Sequence, residues 1–337
     1  MRSKNFLRTI LLLVSALLLG STSIWAQNID YNIDQYAEYE RVIAIEDLVE
    51  RAEAILTFMA EHKGLSLVDY SLKYYGELLE NFRTGNQFDN YLAYAEKLIA
   101  ARPDDNALAQ NLTLSMAFSA YQGQKFDAAA KYGEQAYVIS PAQNLIVVLA
   151  NSYQQTGDEA NFTKYAEMAL KEMEPSAQTV EFATALRKSA VDKGDQAGAT
   201  RYSQLILDLL QALKKPASVS DGDWKKYIDG ERSISQLIVA RSLYGAEKFS
   251  EALRQFEQIA RSTSNRAFRG EAHYYAGLCH WKQGALDPAM RAFALGSMLN
   301  TPGHGKACEK HLEDLYKSTH NGSTAGLDEF LAKIKPE

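Results

Sequence analysis

AHYYAGLCHWKQGALDPAMRAFALGSML, residues Ala272 to Leu299, decides the fold. It reads as two short helices joined by a tight turn. Ala276 and Gly277 place two small residues in the middle of the first helix, where a neighbouring helix can approach closely. Gly284 ends that helix, because glycine alone takes a positive φ at no steric cost. Asp287 is expected to cap the second helix, with Pro288 in its first turn, where the absent N–H leaves no bond unmade. Ala289 and Phe293 are four apart and share one face.

The punctuation of this unit recurs. Pro103, Pro141, Pro175 and Pro216 follow one another by 38, 34 and 41 residues, and Gly123, Gly157 and Gly194 by 34 and 37. A proline after the second helix and a glycine between the two, near a fixed period, mark a stacked array of helical hairpins. The hairpins read as residues 66–102, 105–140, 142–174, 176–214, 231–263 and 267–300. The unit resembles the tetratricopeptide repeat (TPR), a helix–turn–helix of roughly 34 residues with the pattern W-x2-L-G-x2-Y…A-x3-F…P. Here it runs His273-x2-Ala276-Gly277-x2-His280…Ala289-x3-Phe293, with histidines in place of Trp and Tyr. Further matches are Leu149-Ala150-x2-Tyr153-x3-Gly157, Ala129 with Ala136 and Pro141, and Ala252-x3-Phe256. The resemblance covers most of residues 66–300. It implies an all-α fold, a right-handed α-solenoid of stacked antiparallel helix hairpins.

Outward from the repeats, residues 1–26 read as a signal peptide. Arg2, Lys4 and Arg8 form a basic start, Ile10 to Leu19 an apolar run, and Gly20 to Ala26 a small-residue end with Ala26 the expected cleavage point. The apolar run is shorter than the roughly 20 residues a spanning helix needs, and no cysteine follows it to carry a lipid. An uncleaved anchor is the alternative reading, since Ile24 is a mediocre residue before a cleavage site. Residues 27–64 read as an N-terminal amphipathic helical cap, helical from Asp34 to His62 and carrying the stripe Val42, Ile45, Leu48, Val49, Ala52, Ile55, Leu56 and Met59. Residues 65–214 hold about four repeats. Lys-Pro-Ala-Ser-Val-Ser-Asp-Gly-Asp, from Lys215 on, is turn-rich, so residues 215–230 read as a connecting loop. Residues 231–300 hold two further repeats, and residues 301–337 a capping helix pair whose stripe is Leu327, Phe330, Leu331 and Ile334.

Charge narrows the partners. The 337-residue chain has a formal net charge of −6, and loss of the three bases in residues 1–26 takes it to −9. Residues 27–110 hold 16 acids and 7 bases, whereas residues 111–337 hold 26 of each. Nucleic-acid binding calls for a basic face and is not expected. The acidic N-terminal third reads either as a solvated face or as a surface for a basic partner. No membrane insertion is expected once the presequence is removed.

No phosphate-binding glycine loop, G-x-S-x-G or H-E-x-x-H occurs, and nothing marks a carboxylate pair as catalytic. The chain therefore reads as a non-enzyme without a cofactor. Five of the six histidines and both cysteines fall after residue 270. His304, Cys308 and His311 are spaced i, i+4, i+7 and stack on one helical face, a donor set that suits zinc or copper. Cys279 and Cys308 are also candidates for a disulfide in an oxidising compartment. The plain alternative makes Cys279 a small buried residue and Cys308 a bystander.

The resemblance also implies a concave groove lined by the first helices. In the 267–300 unit the groove residues are expected to include Glu271, Tyr274, Leu278, Trp281 and Lys282. In the 142–174 unit they are Asn144, Val147, Asn151, Gln154 and Gln155. Tyr274, Trp281 and Lys282, with Glu271, Asn151 and Gln154, are the candidate partner-binding residues, unless Trp281 packs between repeats. The family's chaperone-binding members clamp a peptide carboxylate with Lys and Asn four apart. Val147 stands where that Lys would precede Asn151, and Ala185 where the next Asn would be, so no such clamp is expected. The sequence reads as an exported scaffold, periplasmic or secreted, that binds a protein or peptide. A glycan- or small-ligand-binding protein using the same aromatic groove, and a metal-binding or redox accessory built on the Cys/His cluster, are the alternatives.

Overall fold

The structure is a computed structural model that describes residues 30–334. The expected signal peptide, residues 1–26, lies outside the described residues. Among the described residues there are sixteen α-helices and no strand. The chain divides into two compact units, up to Tyr165 and from Ala166 onward. The N-terminal unit contains α1 (Ile33–Ile43), α2 (Leu48–Glu61), α3 (Ser66–Thr84), α4 (Phe88–Ala101), α5 (Asn106–Gln122), α6 (Phe126–Ile139), α7 (Gln143–Thr156) and the start of α8 (Glu159–Glu172). The C-terminal unit continues α8 and adds α9 (Ala177–Asp192), α10 (Gln196–Ala212), α11 (Asp221–Gly245), α12 (Phe249–Ser262), α13 (Arg266–Lys282), α14 (Leu286–Met298), α15 (His304–Thr319) and α16 (Leu327–Lys333). From α1 to α7 in the first unit and from α9 to α15 in the second, successive helices pack side by side in chain order. Their short connections make neighbours antiparallel, which is the α-solenoid class. No helix of the described residues is long and apolar enough to cross a membrane.

One turn geometry builds the hairpins. The backbone N–H three residues past the helix end reaches five residues back: Gln87 to Phe82, Lys125 to Ala120, Asp195 to Ala190, Lys248 to Leu243 and Ala285 to His280, at 2.8–3.0 Å. This is the Schellman closure, which satisfies carbonyls the helix leaves orphaned and requires a left-handed residue just before that N–H. Gly194 (φ 71°) and Gly284 (φ 75°) supply it without strain, while Asn86 (57°), Gln124 (58°) and Glu247 (59°) supply it with a side chain. Gly123, read from sequence as the turn glycine, has an ordinary φ of −77°. It is needed for space instead, since a Cβ there would stand 2.6 Å from the Phe88 ring. Asp287 is not the cap of the last repeat's second helix. Ala285 holds that place and Asp287 lies in the first turn, because the turn closes sooner than the motif suggests.

The core follows the repeat. Ala129, Ala252, Phe256, Ala289 and Phe293 are fully buried. Gly277 lets α13 approach α14 so closely that a Cβ would stand 2.5 Å from Phe293 Cε1. Leu327, Phe330, Leu331 and Ile334 pack on the cluster of Met290, Phe293, Leu312, Leu315 and Tyr316, covering the end of the last hairpins.

A polar ladder joins successive second helices. Tyr94 on α4 donates 2.9 Å to Glu53 on α2, and Tyr132 on α6 donates 2.7 Å to Glu96 on α4. Tyr165 on α8 donates 3.1 Å to Glu134 on α6, and Tyr202 on α10 donates 2.6 Å to Glu167 on α8. A cation lies over each ring at 4.4–4.7 Å: Lys97, Lys131, Lys164 and Arg201 in that order. The rungs recur as Lys131-Tyr132-Gly133-Glu134, Lys164-Tyr165-Ala166-Glu167 and Arg201-Tyr202-Ser203-Gln204, with Tyr94-Ala95-Glu96 before them.

Two segments differ from the sequence reading. Asp34 to His62 is two helices, because Asp47 accepts a hydrogen bond from Glu50 N–H and starts α2 anew. Residues 221–230, read as loop, are the first turns of the 25-residue α11. Ser220 caps it through Asp223 N–H, with Asp221 and Asp223 at its positive end, so the turn-rich residues are a helix start. In the C-terminal unit Arg187 is 5% exposed and ties α9 to α11 through Ser235 (2.8 Å) and Glu231 (2.9 Å).

Candidate functional site

The first helices α11, α13 and α15 of the C-terminal unit lie next to one another. Helical spacing puts Glu271, Tyr274 and Trp281 on one side of α13, since steps of three and seven return to the same face. The same seven-residue step aligns His304 and His311 on α15.

His311 is the hub. Its ring stacks on Phe293 at 5.3 Å and lies 5.6 Å from Tyr274 and 5.9 Å from Trp281. The Tyr274 hydroxyl stands 3.5 Å from His311 Nε2. Tyr274 is wedged among Tyr275 at 5.2 Å, His304 at 5.3 Å and Phe293 at 6.3 Å. Burial pushes its phenol above the usual range. Glu271 joins the edge of this cluster. Arg241 Nη1 on α11 lies 3.3 Å from one of its oxygens and His304 Nδ1 lies 4.0 Å from the other. Trp281 is 46% exposed and Lys282 is exposed beside it.

The structure thus brings Tyr274, Trp281 and Glu271 into one array, through His311 and His304. Asn151 and Gln154 belong to the N-terminal unit, where they lie on α7, half-buried and exposed respectively. Arg241 and Tyr275 escaped the sequence reading. Tyr275 was hidden by its place in a run of two tyrosines, and Arg241 by its position on a neighbouring helix.

The metal reading of His304, Cys308 and His311 is corrected. Their donor atoms do not converge. Cys308 turns into the core against Gly296, where a Cβ would stand 2.4 Å from its sulfur, while His311 is held among rings. Cys279 and Cys308 are likewise free thiols, not a disulfide. Cys279 sits with Phe256 and Ile259, and Cys308 with Phe293, Leu312 and Tyr316. Burial pushes each thiol up to about 12, so both stay protonated and are poor nucleophiles and poor ligands.

What remains is an aromatic and charged surface. It offers a half-exposed indole, two phenols, two imidazoles and a carboxylate–guanidinium pair. Such a surface can receive an apolar or aromatic side chain and hydrogen-bond its backbone.

Among solved structures the chain is similar to yeast Tom70, at 14% identity and a TM-score of 0.39 over 89% of this chain, and it spans 61% of the length of that one. It is also similar to a tetratricopeptide repeat protein from Parabacteroides merdae, at 12% identity and a TM-score of 0.33, over 84% of this chain and 98% of that one. No protein-family model matches the chain, and no curated protein does.

Proposed function

We propose that the protein is an exported, non-enzymatic TPR-like scaffold that binds a protein or peptide on the first-helix face of its C-terminal unit. The observation that carries this is Trp281. An indole 46% exposed, at one end of a face of packed rings, is the kind of anchor that interfaces bury. Tyr274 and His311 hold the floor beneath it, and Glu271 with Arg241 supplies charge at the other end. Lys282 flanks the indole with its ammonium in water.

A peptide panel and a glycan panel applied to the purified protein test the reading. Trp281→Ala should keep its melting temperature, because an exposed ring supports little of the core. It should lose about thirtyfold in affinity for the selected peptides, the equivalent of about 2 kcal/mol. Capture of glycans alone moves the assignment to the carbohydrate reading that the same rings would serve. A variant that melts early makes Trp281 a core residue and removes the site.

Export is the second half of the proposal. It rests on the basic start, apolar run and small-residue end of residues 1–26. Intact mass of the exported protein should place Gln27 first. A full-length chain in the membrane fraction would instead support the anchor.

A further inference from the structure

We propose that Glu38, Glu61 and His62 form a divalent transition-metal site, with zinc the ion they suit. Glu38 lies on α1, Glu61 is the last residue of α2, and His62 is that helix's C-cap. One donor atom from each lies within 4.8 Å of the other two, and among the described residues no other three His, Cys, Asp or Glu side chains converge so. His62 Nε2 and Glu38 Oε2 are already 3.1 Å apart. Zinc at roughly 2.0–2.2 Å from nitrogen and carboxylate oxygen needs donors about 3.4 Å apart, a closure that rotation of the exposed Glu61 side chain supplies.

Three further features favour a cation here. Phe58, one turn earlier on α2, packs against the imidazole at 4.5 Å with the rings tilted by 45°, and limits its movement. Glu61 and His62 stand at the C-terminal end of α2, where a helix carries partial negative charge. The His62 side chain is 16% exposed, so the ring is sheltered while the carboxylates reach solvent. Two carboxylates and one imidazole are donors for zinc, manganese or iron and not for cuprous ion, and they leave a fourth position for water. The bound ion would clip α1 to the end of α2.

The competing account is a plain His62–Glu38 ion pair, in which Glu61 takes no part. Glu61→Gln separates the two. Zinc titration of the tag-free chain by calorimetry should show one saturable equivalent, and cobalt in its place should give the visible absorption of a low-coordinate site. Glu61→Gln should keep the metal-free melting temperature and weaken zinc by more than tenfold, a loss at least that of an outer-shell partner. His62→Ala should abolish binding, and His320→Gln, at the far end of the chain, should leave it unchanged. No saturable zinc binding, or zinc binding by Glu61→Gln equal to the parent, overturns the proposal.

Discussion

Gln124 holds a left-handed backbone, φ 58°, in the turn between α5 and α6. A side chain in that region sets its Cβ against the following carbonyl, at a cost of roughly 1–2 kcal/mol. The adjacent Gly123 cannot take over, because its missing Cβ makes room for Phe88. Gln124→Gly is therefore expected to stabilise the N-terminal unit. Glycine's greater freedom in the unfolded chain offsets part of the gain, so the net is about 0.5–1 kcal/mol, read as a higher denaturant midpoint at unchanged slope. Gly123→Gln in the same background should do the reverse. The turn glycines of the repeat thus answer two different demands, and only the coordinates tell them apart. By sequence alone Gly123, Gly157 and Gly194 look equivalent.

At the scale of the element, the Tyr–Glu–cation ladder links second helices. Hydrogen bonds from Lys131 and then Tyr132 hold the Glu96 carboxyl below its ordinary 4.5, and those from Lys97 and then Tyr94 do the same for Glu53. At Glu167 the bond from Tyr202 comes first and Arg201 follows. A group whose folded pKa is depressed adds stability that is present above its unfolded value and is lost as pH falls through the folded one. Stability should therefore decline below about pH 4.5. Tyr202 titrates in the opposite sense. Burial, then its bond to Glu167, raises its phenol to about 12, so its contribution is complete below pH 10 and is lost as pH rises toward 12. Tyr132→Phe removes one rung. A hydrogen bond to a charged group is worth more than a neutral one, but Glu96 is half in water, so the loss should be about 1 kcal/mol. The variant's acid limb should also shift upward, toward the ordinary carboxylate value. An unchanged limb would mean the cations alone hold Glu96. Lys-Tyr-x-Glu at residues 131 and 164, with Arg201-Tyr202-Ser203-Gln204 after them, stands in the sequence, but a periodic polar motif reads as a solvated face until its partners are seen.

At the scale of the whole molecule, stability in a repeat array is a sum of neighbour terms, so damage stays local. Gly277→Leu tests this. Its side chain would collide with Phe293 where α13 packs on α14, at a cost on the order of 1–3 kcal/mol. Hydrogen exchange should rise across residues 250–320 and stay unchanged near residue 60. No change in melting temperature would mean that the two helices separate without cost.

The sequence by itself determined the class and the period. Ala-x3-Phe steps, small residues mid-helix and prolines at regular intervals are local features, and each is satisfied within one hairpin. Tertiary structure alone decided what lies across helices. It turned Cys308 into the core and made His311, a metal candidate by its spacing, the hub between Tyr274, Phe293 and Trp281. It brought Glu38 to His62 over a separation of 24 residues. The physical reason is the same in each case. Helical periodicity states which residues share a face, but the partner of that face is set by how neighbouring helices pack, and no local spacing encodes it.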